Sequence, residues 1–324
     1  MTRILGIGNA LVDIMTELDH DGYLPLFGLP KGSMTLVDAG QSRSVFYGTQ
    51  HLKKTVRSGG SAANTIYGIA KMGIPAGFIG KIGEDEMGRI FHQDLVDSNV
   101  TTHLIRSATE SGRAMALISP DSERTFATYL GAAVELSGID LDESIFKNYD
   151  LLHIEGYLVQ NHELLLRALE MAKMHHLKIS LDMASYNVVE ANREFLDSVI
   201  KDYVDFVFAN EDEAKALTGK DPEGALEEIS SHCEIAVVKT GRTGSLVKSD
   251  DKIHPIGIIP VNSIDTTGAG DLYASGFLYG LANGLPLEQC GRIGAILAGN
   301  VIEVIGSKMD ENRWTKVKKM ISES

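Results

Sequence analysis

Short, nearly continuous apolar runs alternate with amphipathic stretches through most of the chain. Ile4–Gly8, Ala76–Gly80, Leu151–Ile154, Ile179–Asp182, Phe206–Ala209 and Ile235–Lys239 have the length and character of strands buried on both faces. Between them, apolar residues recur at helical spacing over 61–72, 87–98, 161–175, 192–201 and 222–231. Strand and helix in alternation predict a mostly parallel sheet covered by helices on both sides, an α/β domain of three layers. Two intervals break the pattern. Residues 14–57 carry Gly22, Pro25, Gly28, Pro30 and Gly32 around short strand-like pieces such as Met34–Val37. Residues 101–130 contain Ala114–Ser119 and Arg124–Tyr129, joined by the turn-forming Pro120-Asp121-Ser122-Glu123. These intervals predict a small β lid over a main body made of 1–13, 58–100 and 131–324. Towards the end of the chain, Asp271–Leu281, Arg292–Ile305 and Trp314–Ile321 are predicted helices.

Composition narrows the partners. The chain has 324 residues, 44 % of them hydrophobic, and 44 acidic against 30 basic residues for a formal net charge of −14. That balance opposes nonspecific attachment to nucleic acid or anionic membrane, but leaves room for a local pocket that takes a small, metal-screened phosphate. The two cysteines, Cys233 and Cys290, lie in apolar surroundings and read as buried reduced thiols. The N-terminal segment lacks the apolar core of a signal peptide, and no stretch approaches the ~18 apolar residues of a membrane span. A cytoplasmic protein is expected.

The densest chemistry lies in Asp265-Thr-Thr-Gly-Ala-Gly-Asp271, directly before a predicted helix. Gly268 and Gly270 permit a tight turn, and the amides of residues 268–271 should point outward, unpaired, at the positive end of that helix. Such an end binds phosphate. A carboxylate within it, Asp271, fits a general base that takes a proton from an attacking hydroxyl. It equally fits a helix cap. Asp13, just past the first strand, can accept hydrogen bonds from two neighbouring hydroxyls, or merely fix a loop. Gly59 and Gly60 allow close backbone approach before a helix capped by Ser61, with Asn64 on its first turn. Asn210 and Glu213 share one face of a helix start, where acidic residues are common in any case. Lys239-Thr240-Gly241-Arg242-Thr243-Gly244 reads as a turn. Lys81, Arg113 and Arg124 are further candidate cations.

Taken together and in order, these pieces resemble the ribokinase-like family of carbohydrate and nucleoside kinases, the PfkB type. They are Gly8-Asn9-Ala-Leu-Val-Asp13, Ser58-Gly-Gly-Ser-Ala-Ala-Asn64, Ile79-Gly-Lys-Ile-Gly-Glu-Asp-Glu-Met-Gly88, Ser111-Gly-Arg113, Asn210-Glu-Asp-Glu213, Lys239–Ser245 and the 265–271 motif. Asn9-Ala10, Gly59–Asn64 and Arg124-Thr125 with Tyr129–Ala132 resemble most the adenosine-kinase-like branch. The resemblance implies a Rossmann-like, ribokinase-like fold with a β lid, and ATP and Mg2+ as cofactors. It further implies Asp271 as catalytic base, with the Gly268, Ala269 and Gly270 amides stabilising the transferring phosphoryl group. Asp13, Gly59, Gly60 and Asn64 become substrate ligands. Asn210, Thr240, Gly241, Gly244 and Thr267 hold the nucleotide, Glu213 holds magnesium through water, and Asp265 belongs to a monovalent-cation site for K+. The acceptor is a small molecule, adenosine first and a ribose- or fructose-like sugar second. The base-binding slot would draw on Met34, Leu36, Met115, Leu117 and Phe126, residues any lid also needs for packing. Both a monomer and a lid-paired homodimer are compatible with the family.

Other chemistries fit less well. Gly6-Ile-Gly8 lacks the third glycine of a dinucleotide-binding turn, and no Walker A sequence occurs. No His or Cys cluster has zinc spacing. A nucleoside-binding sensor that has lost catalysis is the alternative outside the enzymes, and the intact Asp271 speaks against it.

Overall fold

A computed structural model describes residues 1–323. Fourteen strands fall into two sheets. In chain order they are β1 (Ile4–Ile7), β2 (Leu11–Glu17), β3 (Met34–Leu36), β4 (Lys54–Gly59), β5 (Ala76–Gly83), β6 (Val100–Ser107), β7 (Gly112–Ile118), β8 (Arg124–Tyr129), β9 (Leu151–Glu155), β10 (Lys178–Asp182), β11 (Phe206–Asn210), β12 (Ile235–Lys239), β13 (Ser245–Ser249) and β14 (Lys252–Ile256).

The nine-stranded sheet has the order β14-β13-β12-β11-β10-β9-β1-β5-β6. It is parallel from β12 to β6, and the β12–β13–β14 edge is antiparallel. Alternation of side chains across the pleat feeds two separate cores. Ile4, Phe78, Phe208 and Val237 face the helices Ser61–Lys71, Ala269–Ala282, Leu287–Val301 and Glu311–Ser322. Leu5, Ile7, Leu152, Ile154 and Leu181 face the helices His162–Met174, Arg193–Tyr203, Glu211–Thr218 and Pro222–Ser230. This is the predicted three-layer α/β/α arrangement.

The second sheet has five strands in the order β3-β8-β7-β2-β4. Its pairs alternate in sense: β3 with β8 and β7 with β2 are parallel, whereas β8–β7 and β2–β4 are antiparallel. Val12, Ile14, Met115 and Leu117 bury its inner face.

Sheet membership departs from expectation at two places. Residues 101–107 fell in the interval assigned to the lid, yet Val100–Ser107 adds to β5 as the outer parallel strand of the large sheet. Its sequence, VTTHLIRS, is mostly half-exposed, as an edge strand can be, so the apolar run that marks its neighbours is missing. Asp13 was expected at the exit of the first strand, and instead lies within β2, in the smaller sheet. Helix boundaries also move by a few residues. The helix expected at Arg292–Ile305 spans Leu287–Val301, and the one expected from Asp271 already begins at Ala269.

Candidate active site

Four adjacent parallel strands end in polar residues at the same edge of the large sheet: Glu155 on β9, Asp182 on β10, Asn210 on β11 and Lys239 on β12. Ligands gather at the carboxyl ends of such strands. Two cavities open here. The first, of about 590 Å3, is lined by Asp182, Asn210, Glu213, Lys239, Gly241, Gly244, Ala269, Gly270 and Asp271, among others. The second, of about 760 Å3, lies under the smaller sheet between Asn9, Leu11, Gly60, Glu155 and the segments 133–136 and 157–164. Ser61 and Tyr157 line both, so the two form one cleft with Asp271 near the join.

Gly268 caps the helix Ala269–Ala282 with φ +76°, a conformation that disfavours any side chain, and a Cβ there would lie 2.7 Å from that of Ser307. Asp271 is the third residue of the helix, and its carboxylate faces away from the helix's own amides. Ser61 Oγ donates to its Oδ1 and Asn64 Nδ2 to its Oδ2, both at 2.9 Å. The capping alternative therefore falls, and so does Ser61 as the cap of its own helix: its hydroxyl serves Asp271, and Gly60 occupies the cap position. Among the described residues the amides of Gly268, Gly270 and Asp271 have no backbone partner, whereas Ala269 N–H turns back to Thr266 O at 3.2 Å. Ala269 thus lines the cavity but lends its amide to the turn, because the tight Gly268 corner folds it inward.

Burial raises the Asp271 carboxyl to about 6, with the hydrogen bonds from Asn64 and Ser61 opposing and Asp182 adding to the shift. Lys239 Nζ stands 3.0 Å from Asp182 and 3.1 Å from where a Cβ on Gly270 would be. Burial alone would lower its pKa, but the carboxylates of Asp182 and Glu213 overturn that and hold it raised. Glu213 closes a capping box with Asn210, receiving Asn210 N–H at 2.7 Å and Nδ2 at 2.8 Å, and burial pushes its carboxyl up to about 7. Thr240 N–H donates to Gly244 O at 2.8 Å across the β12–β13 turn. Thr240 lines a third, shallower cavity of about 560 Å3 with Pro222, Leu246 and Ile256, while Gly241 and Gly244 line the 590 Å3 one.

On the other side of Asp271, Asp13 and Leu11 share one face of β2, and Asp13 lies beside Ala114 of β7; Leu11 and Ala114 line the larger cavity. A Cβ on Gly59 would stand 2.2 Å from Asp13 Cγ, so that glycine is required for the carboxylate to lie where it does. Burial raises Asp13 to about 7, against the pull of Lys308. Glu155 was not foreseen. It accepts from Asn9 N (2.9 Å), Asn9 Nδ2 (2.6 Å) and Ala62 N (3.1 Å), joining the exit of β1 to the start of the helix Ser61–Lys71. Burial lifts it to about 7. Met34 and Leu36, 57 % and 61 % exposed, line the large cavity from the smaller sheet, whereas Met115 and Leu117 are buried as packing and Phe126 is not in the lining.

Asp265 is engaged throughout. Its carboxylate accepts from Thr267 N at 2.8 Å and Gly306 N at 2.5 Å, and pairs with the Arg124 guanidinium, which also reaches Thr267 Oγ1 at 3.1 Å. Arg124 comes from β8 of the smaller sheet. The guanidinium already balances the charge expected to draw a monovalent cation, and the residues at Asp265 do not fit one. Lys81 and Arg113 are taken by Asp140 and Glu110.

A helix start with free amides, a buried carboxylate and a cleft under the smaller sheet thus meet at one edge of the large sheet. The chain belongs to the pfkB family of carbohydrate kinases, whose family model matches residues 43–313. Kinases of this family act on sugars and nucleosides and use ATP. A probable sugar kinase from Rhizobium etli CFN 42 superposes with a TM-score of 0.88 at 33 % identity over 99 % of each chain. The adenosine kinase from Sinorhizobium meliloti does so with 0.88 at 32 % identity, covering 98 % of this chain and 99 % of the other. A 5-dehydro-2-deoxygluconokinase of Geobacillus thermodenitrificans is 29 % identical over 262 residues, 75 % of this chain and 78 % of its own.

Proposed function

We propose that the protein transfers the γ-phosphate of ATP to a primary hydroxyl of a neutral nucleoside, adenosine first. The observation that carries the reading is the Asp271 carboxylate, held by Ser61 and Asn64 where the two cavities join. A base there can receive the proton of an acceptor hydroxyl lying in the larger cavity, while the free amides of Gly268 and Gly270 meet the transferring phosphoryl group. The five-stranded sheet, which contributes Leu11, Met34 and Leu36 to the cavity wall, would exclude water as a competing acceptor.

The larger cavity also bears on the acceptor. Its lining mixes Leu, Met and Val side chains with Asn9, Gln160, Asn161 and Asn187, and includes no Lys or Arg. A gluconate carboxylate lying among these lining residues would be desolvated without a Lys or Arg counter-charge. A purine would bury apolar area and find amide partners. The cavity opposes the gluconate acceptor of the Geobacillus relative and favours the nucleoside of the Sinorhizobium one. Magnesium suits the 590 Å3 cavity only as a hydrated ion. Among the described residues no three groups stand where they could ligate it together, and Asn210 occupies both Glu213 oxygens. Asp182, Glu213 and Asp271 would then hold its waters, and bound Mg2+ would screen the polyphosphate.

ATP consumption measured with adenosine, ribose, fructose and 5-dehydro-2-deoxygluconate tests the reading. Adenosine should give the highest kcat/KM; a free sugar or the gluconate in first place overturns the acceptor. Asp13→Ala should weaken adenosine binding far more than that of a nonhydrolysable ATP analogue. Each charge-assisted hydrogen bond from a ribose hydroxyl contributes about 1.5–3 kcal/mol, roughly 10- to 100-fold in Kd. Equal losses for the two ligands in calorimetry would make Asp13 structural.

A further inference from the structure

Three consecutive residues after the helix Leu287–Val301 each address a different part of the cleft. Gly306 N–H donates to Asp265 at 2.5 Å, and Ser307 Oγ donates to Asn64 Oδ1 at 2.9 Å, which turns the Asn64 amide NH2 towards Asp271. Lys308 follows. Its Nζ is buried and has no hydrogen-bond partner, and stands 3.8 Å from the centroid of the Tyr67 ring. That ring is fixed in turn, since the Tyr67 hydroxyl donates to Met309 O at 3.1 Å and accepts from Trp314 Nε1 at 2.9 Å. The aromatic face steadies a cation there but uses none of its three N–H donors.

The charged groups around Lys308 are Asp13 from β2, Arg57 from β4, Asp94 from the helix Glu86–Asp97 and Lys71 from the helix Ser61–Lys71. Two of these have partners: Asp94 accepts Ser58 N–H at 2.7 Å, and Lys71 pairs with Glu311 at 2.6 Å. Asp13 has no donor among the described residues. A buried donor without an acceptor therefore lies beside a carboxylate without a donor, and buried polar groups are ordinarily satisfied. A hydroxyl group satisfies both, giving its proton to the carboxylate and its oxygen lone pair to the ammonium.

We propose that Lys308 is an acceptor-binding residue, donating from Nζ to a hydroxyl oxygen that Asp13 holds by its proton, and supplying the counter-charge of Asp13. The proposal rests on the reading of Asp13 as an acceptor ligand. Burial moves both groups towards their neutral forms, Asp13 up to about 7 and Lys308 down to about 8; the Lys308 charge opposes the shift at Asp13, and the charges of Asp94 and then Asp13 oppose it at Lys308.

The test compares Lys308→Met and Lys308→Arg with the wild type, using whichever of adenosine, ribose and fructose the wild type phosphorylates best. Lys308→Met should raise the acceptor KM about 10- to 100-fold, the loss of one charge-assisted hydrogen bond, and leave the ATP KM within about twofold. Lys308→Arg should recover part of the loss, and Tm should change little, because the buried Nζ makes no hydrogen bond in the ligand-free protein. Independently, the Asp13 carboxyl titration followed by 13C NMR in the ligand-free protein should shift upward on the order of one pH unit in Lys308→Met. Parallel rises in both KM values with a lower Tm would make Lys308 structural and overturn the proposal, as would an unchanged Asp13 midpoint. Turnover of none of the three acceptors would defeat the acceptor role together with the parent reading, while the Asp13 midpoint would still decide the charge pairing.

Discussion

Asp271→Asn is expected to lower kcat by about 10²- to 10⁴-fold while ATP and acceptor affinities stay within a few-fold. The amide keeps the size of the carboxylate but cannot take a proton. It also disturbs the local pattern of donors. In the native site two donors, Ser61 Oγ and Asn64 Nδ2, meet two acceptor oxygens. The amide side chain of the variant offers one oxygen and one NH2: the oxygen keeps the Asn64 Nδ2 contact, and the Ser61 hydroxyl turns from donor to acceptor to take the NH2. Ser307 Oγ donates to the Asn64 oxygen and keeps the Asn64 NH2 turned towards residue 271, so the loss of rate reports the missing base. The pH profile supplies a second readout. A base works when ionised, and burial lifts Asp271 from 3.8 to about 6, so turnover should fall as pH drops through about 6. The variant's residual rate should lack that limb. Near-normal turnover in Asp271→Asn would remove the carboxylate from the chemistry.

Lys239→Met should be the other severe variant, and it should act on two quantities at once. Among the described residues Lys239 is the one Lys or Arg that lines the 590 Å3 cavity, against Asp182, Glu211, Asp212, Glu213 and Asp271. Its ammonium and the Asp182 carboxylate are 15 % and 7 % exposed, so removing one strands the other. Breaking such a pair costs about 3–5 kcal/mol of stability. The ATP KM should also rise, on the order of 10²-fold, since a polyphosphate would then enter a cavity of uncompensated carboxylates. Lys239→Met/Asp182→Asn separates the effects: stability should largely return, because no buried charge is left alone, while ATP binding should stay weak. Recovery of both would mean that Lys239 serves only the fold.

The 265–271 turn and the Gly59–Asn64 loop were legible because their residue pattern is local. Glycines, a small polar residue and a carboxylate at fixed offsets are what such a turn requires. Asp182, Glu155 and Lys308 were not, because each becomes meaningful only when distant segments converge. A local signal did exist for two of them: Glu155 and Asp182 are single charged residues closing apolar runs, and Lys239 closes a third. A charge in that position points to the ligand edge of a parallel sheet. Lys308 carries no such mark, since its seat is made by Tyr67, Trp314 and Asp13 from three different parts of the chain. In the fold, the long apolar strands were readable by hydropathy, whereas β6 and the β13–β14 pair lie at sheet edges, where one or both faces are wet and the pattern fades.

The place of β1 in the large sheet has a consequence for how the protein is made. β1 precedes both of its partners in chain order and yet is an inner strand, bonded to β5 on one side and β9 on the other. Its first partner, Ala76, lies 72 residues downstream of Ile4, and its second, Leu151, lies 147 downstream. In the smaller sheet β2 likewise pairs with β7, Leu11 against Gly112. Until residue 155 has been synthesised, β1 has an open edge and the Asn9 loop lacks Glu155. Closure of such long chain loops precedes the contacts that reward it, which slows folding. The nascent chain must therefore carry β1, and the Asn9 loop attached to it, with at least one strand edge unpaired until β9 has been made.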